Sequence, residues 1–215
     1  MNIFFDNNST TIIDSDTLNV FTESLLTYKN PSSTHTPGQQ TKAALVESKR
    51  KLSKIFTCDN RDLLFTSGST ESINLIIHLL TRTLKSGVIT YLTTDHSAVT
   101  QTVNQPIIGW KSYAITPSCS SVFTKDLFKK IPENTKILIT SAANSELGHV
   151  ISLDDIADWC HEKGIALILD TTSWIGKLPF IYREGITAFC GSAHKFHGPP
   201  GVGFCFDSTN AAFVC

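Results

Sequence analysis

One lysine in this sequence has neighbours that suit nucleophilic chemistry. Lys195 lies between His194 and His197, and a turn-forming run, Gly198 to Gly201, follows. The apolar segment from Val202 to Phe206 then predicts a strand. A lysine held by a tight turn at a strand end is well placed to form a Schiff base with a carbonyl compound. A lone lysine is more often a solvated loop residue, so its role depends on which other groups lie near it.

Three further groups follow predicted strands and should meet at one edge of a sheet. The segment from Thr66 to Glu71 leads from a strand into a helix, a pattern typical of a phosphate cradle and equally of an ordinary helix cap. Asp170 follows five apolar residues. It could pair with a protonated ring nitrogen, bind a metal or act as a helix N-cap. His96 follows another strand and is also typical of a polar loop. With Lys195 they form the set of groups that pyridoxal phosphate requires.

Composition limits the class of protein and its compartment. The 215 residues suit one large domain, and 41% hydrophobic with 17% charged residues indicates a globular chain. The net charge of -1 gives no electrostatic reason to expect nucleic acid or an anionic membrane as a partner. The N-terminus lacks the features of a secretory signal, and no apolar run approaches the ~20 residues of a membrane span. We therefore predict a cytoplasmic protein with no nucleic-acid or membrane partner.

The cysteines show no metal-binding pattern. They are scattered, without a C-x-x-C pair, so we predict no metal site. The absence of ligand spacing also argues against a metal or iron–sulfur carrier. Three of them lie in apolar segments where a buried thiol is usual, namely Cys160, Cys190 and Cys205. Cys119 lies in a serine-rich loop that could be exposed.

Helical and strand patterns alternate along the chain, which favours βαβ units. Right-handed crossovers would then place helices on both faces of a mostly parallel sheet, so we predict an α/β domain. The predicted helices are Ser15–Thr27, Gln39–Phe56, Thr70–Leu84, Asp126–Ile131 and Leu153–Lys163. Apolar runs at 63–65, 88–92, 137–140 and 165–169 predict strands. The final Ala211–Cys215 segment resembles the start of a further strand, so we expect a truncated chain.

Five sequence landmarks occur in the order typical of one family. They are residues 5–11, 30–35, 65–72, 95–99 and 192–199. With them, the chain from Phe4 to about Phe206 resembles the class V aminotransferases, and the cysteine desulfurases most closely. The resemblance implies a fold-type-I large domain that binds pyridoxal 5'-phosphate, with a mostly parallel seven-stranded sheet. We therefore divide the chain into an N-terminal segment, 1–14, and a cofactor-binding domain, 15–215.

The resemblance also implies an activity and partners. It implies a homodimer that transfers sulfur from L-cysteine and leaves alanine. The sulfur would pass through an enzyme persulfide to a scaffold protein for iron–sulfur cluster assembly or other sulfur delivery. Selenocysteine lyase and aminotransferase are alternative activities within the same group.

Residue roles carry over by position in the resembling motifs. Lys195 is identified as the cofactor-attaching lysine and general base, and His96 as the histidine that stacks on the ring and moves protons. Asp170 is the expected partner of the ring nitrogen. The expected phosphate ligands are Ser69, Thr70, Ser192 and His194.

The sequence departs from the family at three positions and in length. Pro200 stands where the family has a basic residue after His-Gly-Pro. Ser145 stands where an asparagine is usual, and Ser173 stands where a glutamine is usual, both as partners of the cofactor's phenolic oxygen. The C-terminal small domain, which carries the sulfur-accepting cysteine and a substrate-binding arginine, is expected to be missing. An alternative is therefore a truncated, catalytically impaired or inactive remnant that still binds pyridoxal phosphate or a partner.

Overall fold

A computed structural model describes residues 4–117 and 125–209 of the chain. Within these ranges, seven strands form one sheet in the order β1-β7-β6-β5-β4-β2-β3. The strands are β1 (Leu63–Thr66), β2 (Gly87–Leu92), β3 (Trp110–Ile115), β4 (Thr135–Ser141), β5 (Ala166–Asp170), β6 (Ile186–Ser192) and β7 (Gly203–Asp207). Only β7 runs against the others in this part of the chain. The mostly parallel seven-stranded α/β prediction is confirmed.

Helices cover both faces of the sheet, as predicted. They are α1 (Ser15–Thr27), α2 (Thr36–Phe56), α3 (Ser69–Leu84), α4 (Ser97–Val103), α5 (Lys125–Phe128) and α6 (Leu153–Lys163). Alternate side chains of each strand point to opposite faces, so β4 contributes Ile137 and Ile139 to one core and Leu138 to the other. The first core packs under α3 and α4, and the second packs under α6 and the end of α2.

Capping explains why the predicted bounds of α1 and α6 are confirmed. The Asp14 side chain accepts hydrogen bonds from the amides of Asp16 and Thr17 at 3.0 and 3.1 Å, which fixes the start of α1. Ser152 caps α6 in the same way, and Gly164 ends that helix with a left-handed φ of 64°.

Other elements differ from the prediction. The helix α2 begins at Thr36 rather than Gln39, because Pro37 fits the first turn and His35 Nδ1 accepts from the Gly38 amide at 3.2 Å. The predicted helix at 126–131 was wrong in length, since the helix ends at Phe128 and a turn follows. The strands β3 and β6 and the helix α4 were not predicted individually. Cys119 and the Ala211–Cys215 segment lie outside the described residues.

The first helix leaves its apolar stripe uncovered. No residue of α1 is buried, and its leucines at 18, 25 and 26 are 45%, 62% and 79% exposed. The domain boundary at residue 15 stays a prediction. Within the described ranges, no helix is both long enough and apolar enough to cross a bilayer.

The close approach of β7 to the start of α3 requires glycine at position 203. A Cβ added at Gly203 would lie 2.4 Å from Gly68 Cα, well inside van der Waals contact. Gly68 is the N-cap of α3, so this contact sets the height of the helix terminus above the sheet.

We expect Gly203→Ala to lower the free energy of unfolding by about 1–3 kcal/mol, because the added methyl group overpacks this contact. Urea unfolding followed by circular dichroism measures the change. Val202→Ala, at a neighbouring position that is 37% exposed, is the control and should lower stability by less than Gly203→Ala does. Equal stability of Gly203→Ala and wild type would contradict the packing argument.

Candidate active site

A cavity of about 510 Å³ opens at the carboxyl edge of the sheet, and the predicted site residues line it. All nine candidate residues line it, namely Ser69, Thr70, His96, Ser145, Asp170, Ser173, Ser192, His194 and Lys195. A larger cavity of about 800 Å³, beside α6, contains none of them. Parallel strands bring distant polar residues to one edge, so the topology explains the convergence.

Lys195 ends a short turn that follows β6. Its half-buried amine donates a hydrogen bond to the backbone carbonyl of Asn8 at 2.7 Å. Burial lowers the pKa of Lys195, and the nearby Lys177 ammonium lowers it further, against the opposing charges of Asp170 and Asp6. A lower pKa increases the fraction of neutral amine, which is the nucleophilic form.

The N-terminal segment fastens the lysine turn, which the sequence did not reveal. The Thr11 amide donates to the carbonyl of His194 at 2.8 Å, and the Asp14 amide donates to the carbonyl of His197 at 3.0 Å. The Asn8 side chain contacts both Lys177 and the carbonyl of Ser145. This segment therefore links the lysine turn to the 144–148 loop.

The start of α3 leaves backbone amides free beside the cavity. Gly68 provides no side-chain cap, and the Ser69 amide donates to Ser192 Oγ at 2.7 Å. Among the described residues, the amides of Thr70 and Glu71 donate to no protein acceptor, and both residues line the cavity. Glu71 instead accepts from the amide and hydroxyl of Ser67, bonds that lower the pKa of its carboxyl group. Free amides at the positive end of a 16-residue helix favour a bound anion.

Asp170 keeps one carboxylate oxygen available to the cavity. Its Oδ1 accepts from the Thr172 amide at 3.0 Å and from the Thr172 hydroxyl. No hydrogen bond within the described ranges reaches Oδ2, although the residue is only 6% exposed. The free oxygen suits a cationic N–H donor of a ligand. Thr172 is a site residue that sequence reasoning missed, because its signal lay in the turn chemistry after the aspartate.

His96 is held by the start of α4. Its Nδ1 accepts from the Ala98 amide at 3.1 Å, which assigns the ring hydrogen of the neutral form to Nε2. The preceding Thr94 carbonyl accepts from the Asn144 side chain at 2.7 Å. The imidazole thus lines the cavity in a fixed orientation. In the same cavity, burial and the adjacent Lys195 lower the pKa of His194.

The two serines that replace longer side chains both reach the cavity wall. Ser145 and Ser173 are half-buried and line the same cavity as Lys195. Asn144 is occupied elsewhere, because its Oδ1 accepts from the amides of Glu146 and Leu147 at 3.0 and 2.8 Å. It cannot therefore take over the position of Ser145 without breaking this loop.

Asp95 is a second residue that the sequence did not single out. Its buried carboxyl accepts from the amides of Ser141 and Leu92 at 2.8 and 3.0 Å, and so joins the ends of β4 and β2. Burial raises the pKa of Asp95 to about 6, against these hydrogen bonds, and the charge of Asp170 adds to the increase.

The thiols within the described residues are not activated. Cys160, Cys190 and Cys205 are buried, as predicted. Burial raises the pKa of Cys160 and Cys205 to about 12, and it raises that of Cys190 well above its ordinary value. Cys58 is partly exposed, and burial raises its pKa to about 12 as well. A thiol with such a pKa is a poor nucleophile at neutral pH.

Comparison with known proteins gives the family. A family model described as aminotransferase class-V matches residues 3–212. The chain belongs to the aminotransferase class-V family. Class V relatives include the mitosomal cysteine desulfurase of Encephalitozoon cuniculi, 32% identical over 94% of this chain. The putative cysteine desulfurase NifS of Bacillus subtilis is 31% identical over 94% of the chain.

Solved structures share this fold. A NifS-like protein superposes with a TM-score of 0.90 at 30% identity, and the match covers 98% of this chain and 60% of that one. SspA in complex with cysteine has the same fold, with a TM-score of 0.89 at 24% identity over 96% of this chain and 61% of that one. The chain spans about half the length of the curated relatives, 49% and 52% for the two named above.

The raised pKa of Asp95 predicts a pH-dependent stability. The folded state binds this proton more tightly than the unfolded state does, so the contribution is complete below about pH 4 and lost as the pH rises through about 6. The stability of wild type relative to Asp95→Asn should fall by on the order of 3 kcal/mol between pH 4 and pH 7. Urea unfolding at both pH values, with Asp16→Asn as the exposed control, measures this. A pH-independent difference would refute it.

Proposed function

We propose that this protein binds pyridoxal 5'-phosphate and takes part in cysteine desulfurase chemistry. In that reaction the sulfur of L-cysteine passes to an acceptor thiol, which becomes a persulfide, and alanine is left. The observation that carries the proposal is the convergence of the Lys195 amine, the Asp170 carboxylate and the N-terminus of α3 in one cavity. The relatives named as cysteine desulfurases, and a related fold with bound cysteine, support this choice of substrate.

The residues present fit the cofactor. The free amides of Thr70 and Glu71, with the hydroxyls of Ser69 and Ser192, would hold its phosphate. The unpartnered Oδ2 of Asp170 would accept from its ring nitrogen, and Lys195 would attach to its aldehyde carbon. When bound, pyridoxal phosphate supplies an electron sink for bonds broken at the substrate Cα.

The protein's own groups then hold and move protons. The neutral Lys195 amine, whose pKa burial lowers, can accept a proton from a substrate carbon within its reach. His96 has its Nδ1 occupied by the Ala98 amide, so Nε2 is the ring atom left to donate or accept. Ser145 and Ser173, shorter than the amides usual in the family, would reach the phenolic oxygen through water.

The finer assignments are also proposals. The family resemblance predicts a sulfur-accepting scaffold protein as a partner and use in iron–sulfur cluster assembly. The sequence predicts a cytoplasmic location. Relatives of this chain include mitosomal and mitochondrial proteins as well as bacterial ones, so several compartments host similar chains.

Chemical trapping tests the cofactor assignment. We expect borohydride reduction of the chain mixed with pyridoxal phosphate to label Lys195, because its lowered pKa leaves more neutral amine than at an exposed lysine. Peptide mass spectrometry locates the label. Lys195→Ala should lose it, whereas Lys177→Ala, at the exposed neighbouring amine, should keep it. Labelling that is unchanged in Lys195→Ala would refute the assignment.

Turnover separates the desulfurase from a cofactor-binding remnant. With L-cysteine and a thiol reductant, we expect alanine and sulfide in equal amounts, reduced at least about 100-fold in Lys195→Ala, which lacks the general base. A folded, labelled chain that forms neither product would favour the inactive alternative. Alanine formed from selenocysteine alone would favour selenocysteine lyase.

We propose a homodimer that covers the apolar side of α1. Leu25 and Leu26 are 62% and 79% exposed, so in a free monomer they would stay in water. Light scattering should give twice the monomer mass, and Leu25→Asp with Leu26→Asp should give the monomer mass with the circular dichroism of a folded chain. Asn19→Asp adds a charge to the same helix and is the control. A wild-type monomer would rule out this interface.

A further inference from the structure

Three hydroxyl groups in the cavity form a continuous chain that ends on Asp170. Ser192 Oγ lies 2.9 Å from Ser69 Oγ, which lies 2.5 Å from Thr172 Oγ1. The Thr172 hydroxyl bonds Asp170 Oδ1 in turn. The chain therefore connects the N-terminus of α3 to the carboxylate at the end of β5.

Counting hydrogens gives this chain a direction. A carboxylate only accepts, so the Thr172 hydroxyl donates its single hydrogen to Asp170. Thr172 Oγ1 must then accept from the Ser69 hydroxyl. With its own hydrogen used, Ser69 Oγ accepts from the hydroxyl of Ser192, whose oxygen also accepts from the Ser69 amide at 2.7 Å. The thiol of Cys190 also interacts with Ser69, but a thiol is only a weak donor and acceptor.

All three hydroxyl hydrogens are thus engaged within the protein. A phosphate group has only acceptor oxygens to offer the protein when it is fully ionised, so it needs these hydrogens. Ser69 can donate to it only by releasing Thr172, and Ser192 can donate only by releasing Ser69. Anion binding must therefore break hydrogen bonds that the free protein already has.

We infer that Thr172 is a positioning residue that sets the affinity of the cradle for a phosphate group, because its hydroxyl competes with the anion for the Ser69 hydrogen. The inference rests on the proposed function in placing a phosphate at α3, but it does not require sulfur transfer. The Thr172 amide, 3.0 Å from Asp170 Oδ1, continues to hold the carboxylate in any side-chain variant.

Removal of the Thr172 hydroxyl should strengthen phosphate binding. Thr172→Val keeps the shape of the side chain and leaves the Ser69 hydroxyl without this acceptor. We expect the Kd of inorganic phosphate, measured by calorimetry at fixed pH and ionic strength, to fall by about 2- to 10-fold, the loss of one competing hydrogen bond. Thr172→Ser keeps the hydroxyl and should stay within about twofold of wild type.

A merely structural role predicts a different result. If Thr172 only supports Asp170, Thr172→Val would weaken phosphate binding or leave it unchanged, and either outcome overturns the inference. Absence of phosphate binding by the wild-type chain overturns it as well. Circular dichroism checks folding, and Thr172→Ala, which also lacks the hydroxyl, replaces the valine variant if that one does not fold.

A second pair of variants, made in Ser69→Ala, tests whether the anion and Thr172 compete for the Ser69 hydroxyl hydrogen. In Ser69→Ala there is no serine hydrogen to release, so adding Thr172→Val should leave the phosphate Kd unchanged. An equal gain in both backgrounds would assign the effect to something other than competition and overturn the inference. Because these titrations use the chain without cofactor or cysteine, failed sulfur transfer is recognised separately.

Discussion

The parallel register of β4, β5 and β6 brings Ser141, Asp170 and Cys190 into one row at the carboxyl edge of the sheet. Where the strands end, each next backbone amide needs a new acceptor, because a buried N–H without a partner is unfavourable. The last amide of β4, that of Ser141, donates to the Asp95 carboxyl group. The first amide after β5, that of Thr171, donates to the carbonyl of Cys190. The cavity lies at this edge, and Ser141 and Asp170 both line it.

Two ionisable groups at this edge, Asp95 and Lys195, are partly or fully removed from water, and burial shifts the pKa of each. Asp95 is desolvated, which raises its pKa to about 6, yet three neighbouring donors keep it bonded between β2 and β4. Lys195 is also partly desolvated, and the same physical effect lowers its pKa, so more of its amine is in the neutral form. Burial thus acts on both groups in the same sense, towards the neutral form. Burial of these charged groups does not stabilise the fold, but the neutral form of the lysine amine is the nucleophilic one.

Local signals predicted more of the fold than of the contacts within the site. The bounds of α1 and α6 follow from their caps, Asp14 and Ser152, which are visible within a few residues. The strand β3 was not predicted because four of its six side chains are exposed, so its sequence shows no alternation of apolar and polar residues. The bond from Lys195 to Asn8 joins residues 187 positions apart, so no local pattern contains it. Family motifs located the cavity residues, whereas Thr172 and Asp95 emerged only from their hydrogen bonds.

The N-terminal segment connects Lys195 to α1, a helix without buried residues. Asp14 caps α1 through its side chain and bonds the carbonyl of His197 through its amide at 3.0 Å. Asn8, six residues earlier in the chain, accepts the Lys195 hydrogen bond. Since α1 contributes no buried residue, this segment is held mainly by hydrogen bonds, which are individually weak in water. A partner surface that covered the apolar side of α1, as in the proposed homodimer, would restrain the segment that holds Lys195, and assembly would then be physically linked to the order of the site.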